Sequence, residues 1–466
     1  MRHSDVLSRL RQASDGLRDI VPCRIDGRVS ALSGLSVDIA GLAGHVCAGD
    51  RVSLAARNGQ DVAAEIIGFR DGVARAMAFG ALEGIGPGCR AAAASAIREG
   101  MSGGGHLAID DSWLGRVIDP LGRPMDGLGR PSQGHDLRPV RTSPPDATLR
   151  ARLGERLDLG VRVMNAFATC RTGQRLGLFA GSGVGKSTLL SMLARNTACD
   201  VVVLALVGER GREVREFLED DLGPEGLARS VVVVATSDSS PLMRREAAYS
   251  AMTVAEHFRD QGKSVLLLMD SVTRFCLALR EIGLSAGEPP ATRGYPPSVF
   301  AELPRLLERA GPGPQRPDGT AGQISALFTV LVEGDDHNEP VADAVRGILD
   351  GHVVMDRRIG ESGRYPAIDV LRSLSRAVPG CNSAAENALT RRARALLSLY
   401  AEMADMVRLG AYKPGADPAV DEAIALAPRI EAVLRQDRHD STDLADSFAA
   451  LANAMNDVTF QETADV

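Results

Sequence analysis

Residues 175–196 read Arg-Leu-Gly-Leu-Phe-Ala-Gly-Ser-Gly-Val-Gly-Lys-Ser-Thr-Leu-Leu-Ser-Met-Leu-Ala-Arg-Asn. The first five residues suit a buried strand, and the run from Lys186 to Asn196 suits a helix. Between them lies a glycine-rich loop of the pattern that cradles nucleotide phosphates, with Ala180 where the strict pattern has glycine. Each residue type answers a physical need. Gly181, Gly183 and Gly185 let backbone N–H groups converge without Cβ clashes, and Ser182 and Val184 contribute further N–H groups. The helix that opens at Lys186 adds partial positive charge where phosphates sit. The Lys186 ammonium is placed for the β and γ phosphates, and the Ser187 hydroxyl, with Thr188 behind it, for a Mg²⁺ ion. The ligand this predicts is a nucleoside triphosphate with Mg²⁺.

Two further strands carry the groups such a loop requires. Val265–Met269 is apolar and ends in Asp270, a candidate metal carboxylate; its strand is expected beside the phosphate-loop strand. Val201–Val207 ends in Gly208-Glu209-Arg210-Gly211-Arg212-Glu213. Parallel strands end on one edge, so Glu209 faces the same crevice, where a carboxylate orients the water that attacks the γ phosphate. From the residues alone, a solvated cluster of Glu209, Arg210, Arg212 and Glu213 is an equal alternative.

Outward from these strands the pattern is α/β. Strands are expected at 175–179, 201–207, 231–235, 264–269 and 324–332, and helices at 186–196, 214–221 and 244–261. Short apolar strands alternating with helices predict a parallel sheet covered on both faces. The flanks differ. Residues 21–93 are short apolar runs broken by glycine and aspartate, as in a small β-barrel or sandwich. Residues 94–145 are loop-rich. Beyond Ser383 only helical stretches remain, at 384–409, 418–434 and 441–453. The resulting division is an amphipathic helix at 1–20, a β-barrel at 21–93, a nucleotide-binding domain at 94–376 and a helical domain at 377–466.

Composition narrows the classes. The 466 residues carry a net charge of −7 and 44% hydrophobic residues, an ordinary globular balance with room for several cores. Seven scattered cysteines without a C-x-x-C spacing argue against a disulfide framework or a zinc site. No apolar run is long enough to span a membrane. A ring-shaped RNA translocase would need basic and aromatic residues in the barrel. Residues 21–93 instead balance seven Arg against seven Asp and Glu, with Phe69 and Phe79 as the aromatics, so nucleic acid is disfavoured as a partner.

The phosphate loop, Gly208-Glu209-Arg210, the segment Leu114–Asp119 with Leu121-Gly122-Arg123-Pro124, and Pro366-Ala367-Ile368-Asp369-Val370-Leu371-Arg372-Ser373-Leu374-Ser375-Arg376 together resemble the catalytic subunits of rotary ATPases, over about residues 20–410. Glu333–Asp343, Gly347–His352 and Arg293–Phe300 are similar to the type III secretion branch. Met77–Gly80 and Leu82–Gly84 resemble its flagellar export members more than those of virulence injectisomes. The resemblance implies a RecA-like nucleotide domain between a barrel and a helical domain, and hydrolysis of ATP to energise protein export. It implies Glu209 as catalytic base, which speaks against a non-catalytic scaffold. Arg210 becomes a supporting neighbour, Asp270 the Mg²⁺ carboxylate, and Arg376 an arginine finger given to the next subunit. Its implied partners are a homo-hexamer, a stator-like regulator at the N-terminal helix, a central stalk at the C-terminal helices, and the export gate with substrates and their chaperones. Its implied place is the cytoplasmic face of the inner membrane at the flagellar base, peripherally attached. One departure stands out: relatives place an adenine-stacking aromatic after the finger, whereas none occurs here between Arg376 and Tyr400, leaving Pro379 or aliphatic side chains for adenine.

Overall fold

A computed structural model describes residues 25–93, 105–134, 137–181, 183–316, 319–332 and 339–456. The helix expected at 1–20, Ser182, and residues 333–338 of the export-type stretch lie outside them. Six strands, β1 (Asp26–Ser33), β2 (Ser36–Ala40), β3 (Arg51–Ala55), β4 (Asp61–Arg70), β5 (Val73–Ala78) and β6 (Arg90–Ala93), close into a barrel in the order β1-β2-β5-β4-β3-β6. Its interior is filled by Val29, Val37, Ile39, Val52, Leu54 and Ile66 with small Ala64, Ala74, Ala76 and Ala91, so the barrel is a packed core and not a pore.

The central sheet holds β7 (Val117–Ile118), β8 (Arg175–Ala180), β9 (Val201–Glu209), β10 (Ser230–Thr236), β11 (Ser264–Asp270), β12 (Gln323–Leu331), β13 (Gly351–Met355) and β14 (Ile368–Ser375). Their order is β14-β13-β8-β12-β11-β9-β10-β7, with the short Gly311–Pro312 pairing onto β12. The sheet is parallel from β7 to β13, and β14 runs antiparallel on its edge. Two expectations need correcting. The Asp270 strand does not adjoin the phosphate-loop strand, because β12 lies between them, paired with both. The helix expected at 214–221 is one α-turn pair, Gly211–Glu216, followed by a π-turn over Phe217–Leu222.

Alternation along β9 explains why the sheet is buried on both sides. Val202, Leu204 and Leu206 face one core, and Val201, Val203, Ala205 and Val207 the other. The first core continues into the C-terminal helices Ala384–Arg408, Pro418–Leu434 and Leu444–Asn456 through Leu396, Leu397, Leu426, Ile430 and Leu451. It also includes Leu189 and Leu190 of the helix after the phosphate loop. One continuous apolar mass therefore joins that helix to the C-terminal helices. Ser383 and Glu386 start the first of those helices with a reciprocal capping box.

The barrel is fastened to the sheet domain by buried charge. Arg51 of β3 pairs with Glu246 at 2.7 Å, and Arg245 pairs with Glu65 of β4 at 2.6 Å. Arg141 adds a 2.8 Å contact to Glu65. Each buried carboxylate thus has guanidinium partners, the condition under which buried charge is tolerated.

Candidate active site

β8 delivers the chain into the phosphate loop at the carboxyl edge of the sheet. The helix Lys186–Asn196 has Gly185 at its N-cap, at φ +86°, with no side chain capping its first N–H groups. Those donors are left for an anion, and only a residue without Cβ takes that left-handed turn cheaply. Ser187 lies exposed in the first helical turn, and Thr188 is half-buried behind it.

Lys186 gathers the two carboxylates named from the sequence. Its Nζ lies 2.5 Å from Asp270 Oδ1 and 3.4 Å from Glu209 Oε1. The three side chains are 12%, 6% and 14% exposed, so charge here acts with little solvent screening. Asp270 also accepts a 2.7 Å hydrogen bond from the Thr329 hydroxyl of β12, the intervening strand. Sequence reasoning missed Thr329. In an apolar strand a threonine looks like ordinary β-propensity, and only the strand order reveals its role.

Glu209 owes its direction to a bulge. The pairing of β9 with β10 shifts between Val207 and Glu209, where Gly208 takes φ +72°. The extra residue re-aims the strand end. Glu209 then turns toward Lys186, while Arg210 turns outward, 73% exposed and paired with Glu213 at 2.8 Å. Arg210, expected to support the site, thus lies outside this group of three side chains. Arg274 donates to the Gly208 carbonyl at 2.8 Å.

Burial pushes the Glu209 carboxyl above its ordinary range. Asp270 adds to the rise, and Lys186 and Arg274 oppose it without cancelling it. Burial disfavours the Lys186 ammonium, but Asp270 and Glu209 together outweigh burial and hold it charged. With Glu209 in the role of base that the resemblance implies, it must be unprotonated, so a raised pKa moves the loss of rate on acidification to higher pH. The acidic limb of kcat/KM for ATP is accordingly expected above the usual glutamate value of about 4.3. A pH profile between 4 and 8 checks this, and a limb at or below that value contradicts it.

An aromatic residue stands beside the phosphate loop, but it precedes Arg376. Tyr365 packs over Gly185, where an added Cβ would come within 3.4 Å of the ring. With Thr188, Leu189, Met192, Pro366 and the turn Arg435–Arg438 it lines a cavity of about 400 Å³ beside the phosphate loop. Pro379 is not there. It follows β14, whose end at Ser375 pairs with Gly351 at the start of β13. The phosphate loop adjoins the opposite end, where Ala180 pairs with Met355. The four residue steps from Gly351 to Met355 span about 13 Å. Arg376 shares that remote position: its backbone N–H bonds the Asp350 carbonyl, and its side chain is exposed. No described carboxylate pairs with it.

Residues 160–375 match the ATP synthase alpha/beta family, nucleotide-binding domain, and residues 382–453 match the T3SS EscN ATPase C-terminal domain. The chain is 55% identical to the flagellum-specific ATP synthase of Caulobacter vibrioides, over 96% of this chain and 99% of that protein. It is 46% identical to that of Salmonella typhimurium, over 91% and 92% of the two chains. Among solved structures, the assembled ATPase EscN of the enteropathogenic E. coli type III secretion system superposes with a TM-score of 0.82 at 37% identity, covering 92% of this chain and 100% of that one. A further EscN structure, in complex with its central stalk EscO, gives a TM-score of 0.81 at 37% identity over the same shares of both chains. The chain belongs to the flagellum-specific ATP synthases, export ATPases of the ATP synthase alpha/beta family.

Proposed function

We propose that this ATP hydrolase, which energises protein export in flagellum assembly, works as a head-to-tail ring of six copies with one Mg·ATP at each junction. The observation that carries the reading is the separation of Arg376 from the chain's own Lys186, Glu209 and Asp270, by about the length of a central strand. A finger on the far edge serves a neighbour's site, and a contact between two different faces repeats into a ring.

The roles follow from position. Backbone N–H groups of 181–187 and the Lys186 ammonium hold the phosphates. Glu209 orients the attacking water and takes up its proton, and Arg376 of the next copy meets charge developing on the γ phosphate. The face of Tyr365 and the turn 435–438 receive the base in the 400 Å³ cavity. Ser187 and Asp270 fit a Mg²⁺ ion, since the Lys186 ammonium already sits 2.5 Å from Asp270 as a cation does. One carboxylate and a hydroxyl, with phosphate and water completing the shell, suit that ion. Held there, the ion would supply charge neutralisation to the phosphates.

Partners and place extend the same reading. The C-terminal end of the helix Ala384–Arg408 exposes Met406 in its last turn and Leu409 just beyond it, the latter at 82%, an apolar tip suited to a central stalk. The division at 21–93, 94–376 and 377–466 separates barrel, ATPase and stalk-facing parts, with residues 1–20 for a stator-like regulator. Among the described residues no helix is long and apolar enough to cross a membrane. We place the ring at the cytoplasmic face of the inner membrane, peripherally attached below the export gate. The flagellar reading is preferred to an injectisome one because the Caulobacter relative is 55% identical, against 37% for EscN.

The test is Mg²⁺ dependence. Turnover is expected only with Mg²⁺, and Asp270→Asn is expected to raise the Mg²⁺ needed for half-maximal rate by about tenfold or more. Turnover in excess chelator, or no turnover under any condition, contradicts the reading.

A further inference from the structure

Gln436 takes no part in phosphate chemistry, yet it is among the most fully bonded polar side chains near the site. It lies in the turn between the helices Pro418–Leu434 and Leu444–Asn456, and is 4% exposed. Its Nε2 donates to the Gly160 carbonyl at 2.9 Å and to the Asp440 carbonyl at 3.0 Å. Its Oε1 accepts from the Arg162 N–H at 2.8 Å. Its backbone N–H donates to the Tyr365 carbonyl at 2.9 Å. Both amide hydrogens and the amide oxygen are thus engaged, which leaves the side chain one orientation.

These bonds converge on the cavity beside the phosphate loop. Gln436 and its neighbours Arg435, Asp437 and Arg438 form one wall of it, and Tyr365 forms part of another. The side chain ties that wall to Gly160 and Arg162 at the start of the ATPase core, and the backbone then holds the peptide that carries Tyr365. A nearby residue fastens the same junction without touching the cavity. Asn165 donates to Asp158 Oδ1 at 2.8 Å and to the Thr442 carbonyl at 3.1 Å, and accepts from the Leu159 N–H at 3.0 Å.

We propose that Gln436 is a positioning residue for the nucleobase: its side chain pins the 435–438 turn so that the turn and Tyr365 together form the base-binding wall. This rests on the reading that the cavity takes the base. Because the turn belongs to the C-terminal helices, base occupancy and the placement of those helices are held by one clamp. A purely structural clamp acts on stability, whereas this one also acts on affinity for ligands that carry a base.

The experiment compares full-length wild type with Gln436→Ala, Gln436→Glu, Tyr365→Ala and Asn165→Ala, measuring kcat, KM for ATP, and inhibition by ADP and by inorganic tripolyphosphate, which has no base. Losing the anchor is expected to raise KM and weaken ADP inhibition about tenfold, with kcat and tripolyphosphate inhibition within about twofold. Gln436→Glu keeps the acceptor for Arg162 and is expected between wild type and Gln436→Ala. Asn165→Ala is expected to lower the melting temperature and leave KM unchanged. Unchanged KM in both Gln436 variants, with KM raised in Tyr365→Ala, overturns this proposal alone. So does an equal KM rise in Asn165→Ala, or equal loss of ADP and tripolyphosphate inhibition. An unchanged KM in Tyr365→Ala overturns the reading of the cavity and the proposal with it. If Gln436→Ala does not fold, Gln436→Glu decides by the same criteria.

Discussion

Glu209→Gln is expected to reduce turnover by about 10³-fold while ATP still binds. Glutamine keeps the shape of the side chain but cannot take a proton from water. The substitution leaves the stronger contact of the group intact, because Lys186 remains 2.5 Å from Asp270 and loses only the 3.4 Å pair. Asp270 also keeps its bond from Thr329. The phosphate loop therefore holds its place, and nucleotide affinity is expected within about threefold of wild type. Single-turnover hydrolysis and equilibrium binding of ATP separate the two effects. A glutamine variant within tenfold of the wild-type rate removes Glu209 from the role of base.

Arg376→Ala is expected to cost about 10³–10⁵ in rate, the range over which arginine fingers act. Its folding stability is expected to stay within about 0.5 kcal/mol of wild type, because Arg376 is exposed and pairs with no described carboxylate. ATP binding by the separated subunit is also expected to persist, since Arg376 lies on the other edge of the sheet from its own Lys186. Those three results together identify a group that works outside its own chain. A rate within tenfold of wild type, or a large loss of stability, contradicts that assignment.

Much of this was legible in the sequence because it is local. Strands 175–179, 201–207 and 264–269 lie within observed β8, β9 and β11; the first opens into the phosphate loop, and the other two end at Glu209 and Asp270. A parallel sheet puts such ends on one edge whatever the order of the strands. The order itself was not legible. The crossover from β11 to β12 places β12 between the loop strand and the Asp270 strand, and no local pattern encodes that choice. Thr329 became visible only with it. The direction of Arg210 was not legible for a related reason. The bulge at Gly208 decides which of two adjacent charged residues points inward, and a one-residue shift reverses the answer. Tyr365 was not legible either, because an antiparallel edge strand brings the residues before Ile368, and not those after Arg376, to the phosphate loop. Gln436 carries no motif at all, and its bonds join parts of the chain 274 and 276 residues apart.

The central claim is that the active site is shared between neighbouring copies. The most direct measurement is the ATPase rate per subunit against protein concentration, for wild type, for each variant alone, and for an equimolar mixture of Glu209→Gln and Arg376→Ala. Wild-type specific activity is expected to rise steeply with concentration, with each variant alone nearly inactive. In the mixture a junction is complete when an Arg376→Ala copy supplies the loop side and a Glu209→Gln copy supplies the finger. Random assembly makes about a quarter of junctions complete, so recovery up to about a quarter of the wild-type rate is expected. Flat specific activity together with a mixture as inactive as its components would place the whole site within one chain and contradict the ring.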